Sequence, residues 1–78
     1  MDTDKRILAF LRSELGKGSR RVDAETPLLT GLVDSIRVME LASFIEEEFG
    51  VRLEFADMSE ENFRNVQTLT DLVTRKLG

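Results

Sequence analysis

The sequence predicts a small all-α protein, a four-helix bundle with three longer helices, one short helix and a long first loop. Three observations carry this. Three segments place apolar residues at helical spacing, Gly and Asn/Asp/Ser/Thr residues punctuate their ends, and no two segments alternate in a way that would pair as a sheet. The 78 residues are read as a single domain, 1–78. A chain this short buries only about 60% of its unfolded surface. It has no cysteine for a disulfide or a thiolate metal site, so Leu, Ile, Val and Phe must build the core. A hydrophobic content of 41% suffices.

In the first segment, "DTDKRILAFLRSELG", Ile7, Leu8, Leu11 and Leu15 share one helical stripe. Asp2 or Thr3 caps its start, Gly16 ends it, and Phe10 lies off the stripe centre. Residues 17–33 break the period at Gly18, Ser19, Pro27 and Gly31. So long a loop in so small a domain is either functional or tied down. Val22, Leu28, Leu29, Leu32 and Val33 are expected to hold it against one end of the core.

The strongest helix follows, capped by Asp34 or Ser35 and stopped by Gly50. At ~100° per residue, Leu41, Ala42, Ile45 and Phe49 all fall within about 60° of Val38, and together with it they form the buried stripe. Ile36, Glu40, Ser43 and Glu47 occupy the opposite face, with Met39 and Phe44 on the flanks. Glu46 and Glu48 are expected to be solvated surface. "VRLEFADM" is irregular, and "SEENF" supplies one short helical turn capped by Ser59. The last helix, "NVQTLTDLVTRKLG", has the stripe Val66, Leu69, Leu72, Val73 and Leu77. Asn65 or Thr68 caps it, Thr68 and Asp71 imitate a capping box, and Arg75 and Lys76 suit its negative end.

The formal charge of −4 argues against nucleic acid and suits a basic protein partner. No stretch reaches the length of a membrane span, and the amphipathic start lacks the apolar run of a signal peptide. The chain is expected in the cytoplasm, which the lack of cysteine fits. Catalysis is not expected. A serine nucleophile needs a base, and the chain has no histidine. None of Lys5, Lys17 and Lys76 has the apolar setting that would replace one. No metal site is expected either: His and Cys ligands are missing, and Glu46, Glu47 and Glu48 point around a helix rather than at one ion. A serine can still be a substrate. Ser35, at a helix start after a loop, could carry a phosphate close to free backbone N–H groups, or it could simply be a cap.

"GLVDSIRVMEL" followed by "FIEEEFGVRL" resembles the modification site of the acyl carrier and peptidyl carrier protein family, of the free-standing type. In that family Gly-x-x-Asp-Ser-Leu opens the second helix, and the serine receives 4′-phosphopantetheine from coenzyme A. The resemblance extends over nearly the whole chain, through "TPLL" in the first loop, "EEEFG" closing the second helix, a short third helix, and a last helix beginning near "NVQTL". It implies that Ser35 is the attachment site, with Asp34 before it. The product is a phosphoprotein bearing an acyl or aminoacyl unit as a thioester on its arm. The chain would thus be a substrate of partner enzymes, not an enzyme. The partners implied are a phosphopantetheinyl transferase, an acyl- or aminoacyl-loading enzyme, and ketosynthase, acyltransferase or condensation-type enzymes. They would dock on the second helix through Ile36, Arg37, Met39, Glu40, Ser43 and Glu47. By family habit the protein is a monomer.

Two departures from the family pattern point to a specialised role. Ile36 replaces the usual Leu, and Arg37 stands where fatty-acid carriers generally have an acidic residue. The net charge is modest for a fatty-acid carrier, and "SEENFRNVQTL" resembles free-standing carriers of polyketide and nonribosomal peptide clusters, as in antibiotic biosynthesis. The expectation is a carrier for polyketide or mixed polyketide/nonribosomal peptide biosynthesis. The alternatives are a housekeeping fatty-acid carrier and, in another class, an unmodified helical adaptor.

Overall fold

A computed structural model describes residues 2–15, 22–29 and 33–78, all but the side chain of Leu15. Three α-helices, α1 (Thr3–Leu15), α2 (Ser35–Phe49) and α3 (Val66–Leu77), pack around one core, and a 3₁₀ turn (Phe55–Asp57) lies between the last two. The described residues contain no strand, and no described helix is long and apolar enough to cross a membrane. The helical turn expected in "SEENF" forms, and the 3₁₀ turn at Phe55–Asp57 is an additional element just before it. Residues 59–63 make a single turn, in which Ser59 accepts hydrogen bonds from Asn62 N–H at its Oγ (3.2 Å) and from Phe63 N–H at its carbonyl (3.1 Å).

The first bond of α1 runs from Arg6 N–H to the Asp2 carbonyl at 2.9 Å, which makes Asp2 the capping position. Ile7 and Leu11 are buried, whereas Leu8 and Phe10 are half-buried against the core. Gly16, Leu32 and the side chain of Leu15 lie outside the described residues. The described part of the first loop is tied down as expected, by backbone as well as side chains. Val22, Leu28 and Val33 are buried. Leu28 N–H donates to the Arg64 carbonyl at 2.8 Å, and Gln67 N–H donates to the Ala24 carbonyl at 2.9 Å, so the loop is stitched to the start of α3. Arg12 adds a bond to the Val22 carbonyl at 2.9 Å. Leu29 departs from the expectation and stays exposed.

On α2, Leu41, Ala42 and Ile45 are buried, with Val38 and Phe49 half-buried at the ends of the same stripe. Gly50 closes the helix at φ +67°, a left-handed conformation that L side chains adopt only with strain. The acidic run is not all solvated surface. Glu46 is half-buried and accepts Leu53 N–H at 2.8 Å, fixing the chain after the helix. Glu48 pairs with Arg6 of α1 at 3.1 Å. The 3₁₀ turn is held at both ends. Asp57 accepts Glu54 N–H at 2.8 Å, and its carboxylate meets Lys76 Nζ at 2.7 Å. The Lys76 hydrogen bond, then that of Glu54 N–H, holds the Asp57 carboxyl below the usual carboxylate range.

The capping box of α3 forms between Asn65 and Thr68, not between Thr68 and Asp71. Asn65 Oδ1 accepts Thr68 N–H at 2.8 Å, and Thr68 Oγ1 accepts Asn65 N–H at 3.2 Å. Asp71 instead accepts from the Gln67 side chain one turn earlier at 3.1 Å. Val66, Leu69, Leu72 and Val73 are buried, but Leu77 is 52% exposed because its place in the final turn lies beyond the core.

Candidate functional site

The start of α2 is organised by a division of labour between two adjacent side chains. Asp34 has extended backbone (φ −89°, ψ −177°), and its Oδ1 accepts Arg37 N–H at 2.9 Å. Its carbonyl accepts Val38 N–H at 2.9 Å, the first bond of the helix. Asp34 is therefore the N-cap, which resolves the choice left open by the sequence. Ser35, the first helical residue, is released from capping. It is exposed, and its hydroxyl has no hydrogen bond to any described residue. The Ser35 and Ile36 amides have no intrahelical acceptor, so the helix presents free N–H groups and its positive end beside that hydroxyl.

A recess of about 700 Å³ opens next to Ser35. Leu29, Val33, Val38 and Met39 give it an apolar lining, with Asp34 and Glu60 also on its wall. Leu29 is exposed because it belongs to this recess rather than to the core.

The expected docking residues separate into two kinds. Ile36 (72% exposed), Met39 (64% exposed), Glu40, Ser43 and Glu47 all stand on the open face of α2. Arg37 does not project freely. It is half-buried, and its Nη1 lies 3.5 Å from Glu14 of α1 and 3.8 Å from Glu40. The positive charge that the sequence places beside Ser35 is thus shared with two carboxylates.

Sequence alone assigns no site role to Glu14, to Phe10 and Phe44, or to Phe55. Glu14 meets α2 only through tertiary packing. The flank aromatics Phe10 and Phe44 stack on each other with centroids 4.3 Å apart, and their common displacement from both apolar stripes was the available signal. Phe55 is 96% exposed at the 3₁₀ turn and lines a second apolar hollow with Met39, Leu53 and Met58. In sequence it only alternates with Val51 and Leu53, a spacing with no second strand to pair with.

An uncommitted serine hydroxyl at a helix start, an adjacent aspartate that does the capping and an apolar recess alongside suit a covalently attached group with an anionic first link. Residues 5–73 match a family model described as "Phosphopantetheine attachment site".

Proposed function

From its membership of the phosphopantetheine-attachment family, to which this chain belongs over residues 5–73, we propose that Ser35 is the residue that carries the arm. The family makes the chain a carrier with a covalently bound 4′-phosphopantetheine cofactor, whose terminal thiol holds the acyl or aminoacyl unit. The observation that supports Ser35 is the free hydroxyl beside the Asp34 cap. Asp34 keeps the helix start formed without using the serine. The unpaired amides of Ser35 and Ile36 favour negative charge at that oxygen. The apolar wall of Leu29, Val33, Val38 and Met39 gives the proximal arm a surface to lie along.

In this reading residues 1–78 form one carrier domain, working as a monomer in the cytoplasm. A phosphopantetheinyl transferase modifies it, and acyl-handling enzymes load and unload it. The loading enzyme and the ketosynthase, acyltransferase or condensation-type partners dock on Ile36, Arg37, Met39, Glu40, Ser43 and Glu47. The carrier serves polyketide or mixed polyketide/nonribosomal peptide biosynthesis. Arg37 in the recognition face and the modest net charge support that choice over fatty-acid synthesis. Deleting the gene tests it: loss of one metabolite with normal growth is expected, and loss of viability would assign the chain to fatty-acid synthesis instead. For the attachment itself, incubation with coenzyme A and a broad-specificity transferase should raise the intact mass by one phosphopantetheine. Ser35→Ala should stay folded and gain nothing. An unmodified wild-type chain with intact helical signal would leave a helical adaptor.

A further inference from the structure

The recess beside Ser35 borders, at Met39, the second hollow, which has a volume of about 380 Å³ and lies between α2 and the 3₁₀ turn. Ala42, Ser43 and Glu46 supply its α2 wall, and Leu53, Glu54, Phe55 and Met58 supply the other. Ser35, Met39, Ala42 and Glu46 stand at i, i+4, i+7 and i+11, on one stripe of α2. The two hollows therefore form one track that runs about 16 Å along the helix axis. That span is within reach of an extended phosphopantetheine arm. The far end of the track has a fixed shape. Glu46 accepts Leu53 N–H at 2.8 Å, and Asp57 ties the 3₁₀ turn to Lys76 at 2.7 Å. Phe55 is thereby presented almost fully exposed, an apolar face that the core does not use. Met58, half-buried on the same wall, adapts readily to an incoming group.

The charges along the track are of one sign. Asp34 and Glu60 stand near Ser35, Glu46 and Glu54 stand at the far end, and no described Lys or Arg lines either hollow. Glu54 and Glu60 have no ion pair among the described residues. A unit that is apolar and positively charged gains on such a surface, whereas one that carries a carboxylate is repelled. The open face of Phe55 adds a further attraction for a cation. The cation that a small unit on the arm can supply is an α-amine, which is charged below a pH of about 7.7.

We propose that the unit at the end of the arm is an apolar α-aminoacyl group, seated at the far end of this track. Its side chain lies on Phe55 and Met58, and its ammonium group faces Glu46 and Glu54. The proposal rests on the carrier reading and deepens it, because it selects an amine-bearing cargo over a carboxylated or uncharged one. It also gives Phe55 and Glu54 a use that core packing does not require.

The test loads the full chain with three coenzyme A analogues, using a broad-specificity transferase. Their terminal units are leucyl, isocaproyl, which lacks only the amine, and isobutylmalonyl, which has a carboxylate in its place. An amide replaces the thioester, so the unit is not lost to hydrolysis. Amide NMR spectra at about pH 6.5, where the amine is charged, are compared with that of the chain bearing an unloaded arm. The leucyl unit should shift the amides of Leu53, Glu54, Phe55 and Met58, the isocaproyl unit should shift them less, and the isobutylmalonyl unit should leave them in place. Glu54→Gln should reduce the leucyl shifts roughly two- to fivefold, the scale of one exposed charge contact, and leave the isocaproyl shifts unchanged. Phe55→Ala should remove the shifts for every unit. Equal shifts from leucyl and isocaproyl, larger shifts from isobutylmalonyl, or leucyl shifts confined to the Ser35 recess would each overturn the proposal. Intact mass is read on the same samples. A mass gain with any of those contrary patterns removes the amine-bearing cargo alone, whereas no mass gain from any analogue removes the carrier reading and the proposal with it.

Discussion

Replacing Asp34 by Ala separates the cap from the hydroxyl it protects. The variant loses the 2.9 Å bond from Arg37 N–H and leaves one more donor orphaned at the start of α2. An N-cap of this type is worth about 1 kcal/mol, within a range of about 0.5–2. For a domain of this length that corresponds to a fall in Tm of roughly 4–8 °C per kcal/mol. Loading should suffer more than stability does. With Asp34 gone, the nearest side chain able to cap is Ser35 itself, and a capping serine has its oxygen turned toward backbone amides rather than toward a transferase. Asn is as good a cap as Asp, so Asp34→Asn should keep Tm near wild type while removing the charge. The assay pairs thermal unfolding by circular dichroism with initial rates of phosphopantetheine transfer. Slow loading in Asp34→Ala together with near-normal loading in Asp34→Asn supports the division of labour. If Asp34→Ala melts with wild-type Tm, the cap is not in use and the reasoning fails. Slow loading in Asp34→Asn at unchanged Tm would mean that the charge, not the cap, matters to the transferase.

Three further outcomes are expected. Ile45 is fully buried at the centre of the α2 stripe, so Ile45→Ala should cost about 2–5 kcal/mol in chemical denaturation; a cost near zero would mean α2 is turned differently about its axis. Thr70 Oγ1 is buried with no hydrogen-bond partner among the described residues. Thr70→Val should therefore raise stability by about 1–3 kcal/mol, and a loss would show that the hydroxyl is satisfied in solution. The Asp57 carboxyl is held below its ordinary value of 3.8 by Lys76 and Glu54 N–H, so its contribution is present above that value and lost as pH falls below it. Asp57→Asn should thus lose less stability than wild type on acidification through that window. Parallel acid melts would contradict the Asp57–Lys76 contact.

What the sequence made legible was local. Stripes and stop signals found all three α-helices, because Gly50 and the spacing of Leu41, Ala42 and Ile45 act within a few residues of one another. The open face of α2 was legible for the same reason, since Ile36, Glu40, Ser43 and Glu47 simply oppose that stripe. Errors arose where a residue answers to distant chain. Glu46, like Glu48, looks like a solvated carboxylate, but the chain returning at Leu53 gives it a hydrogen bond. Arg37 looks like a free charge until α1 brings Glu14 beside it. For α3 the sequence leaves the cap open between Asn65 and Thr68, and it places the capping box on Thr68 and Asp71, because Thr68 qualifies both as a cap and as the partner of one. Only the docked first loop, with Gln67 bound to Ala24, fixes where the helix begins.

The central claim is that Ser35 bears the arm. Intact mass of the protein purified from its native producer, with peptide mapping of any added mass, tests it most directly. A phosphopantetheine, free or acylated, is expected on the peptide containing Ser35, and the acyl increment would then identify the cargo. A bare polypeptide mass that coenzyme A and transferase cannot shift, or an arm mapped to another residue, would contradict it.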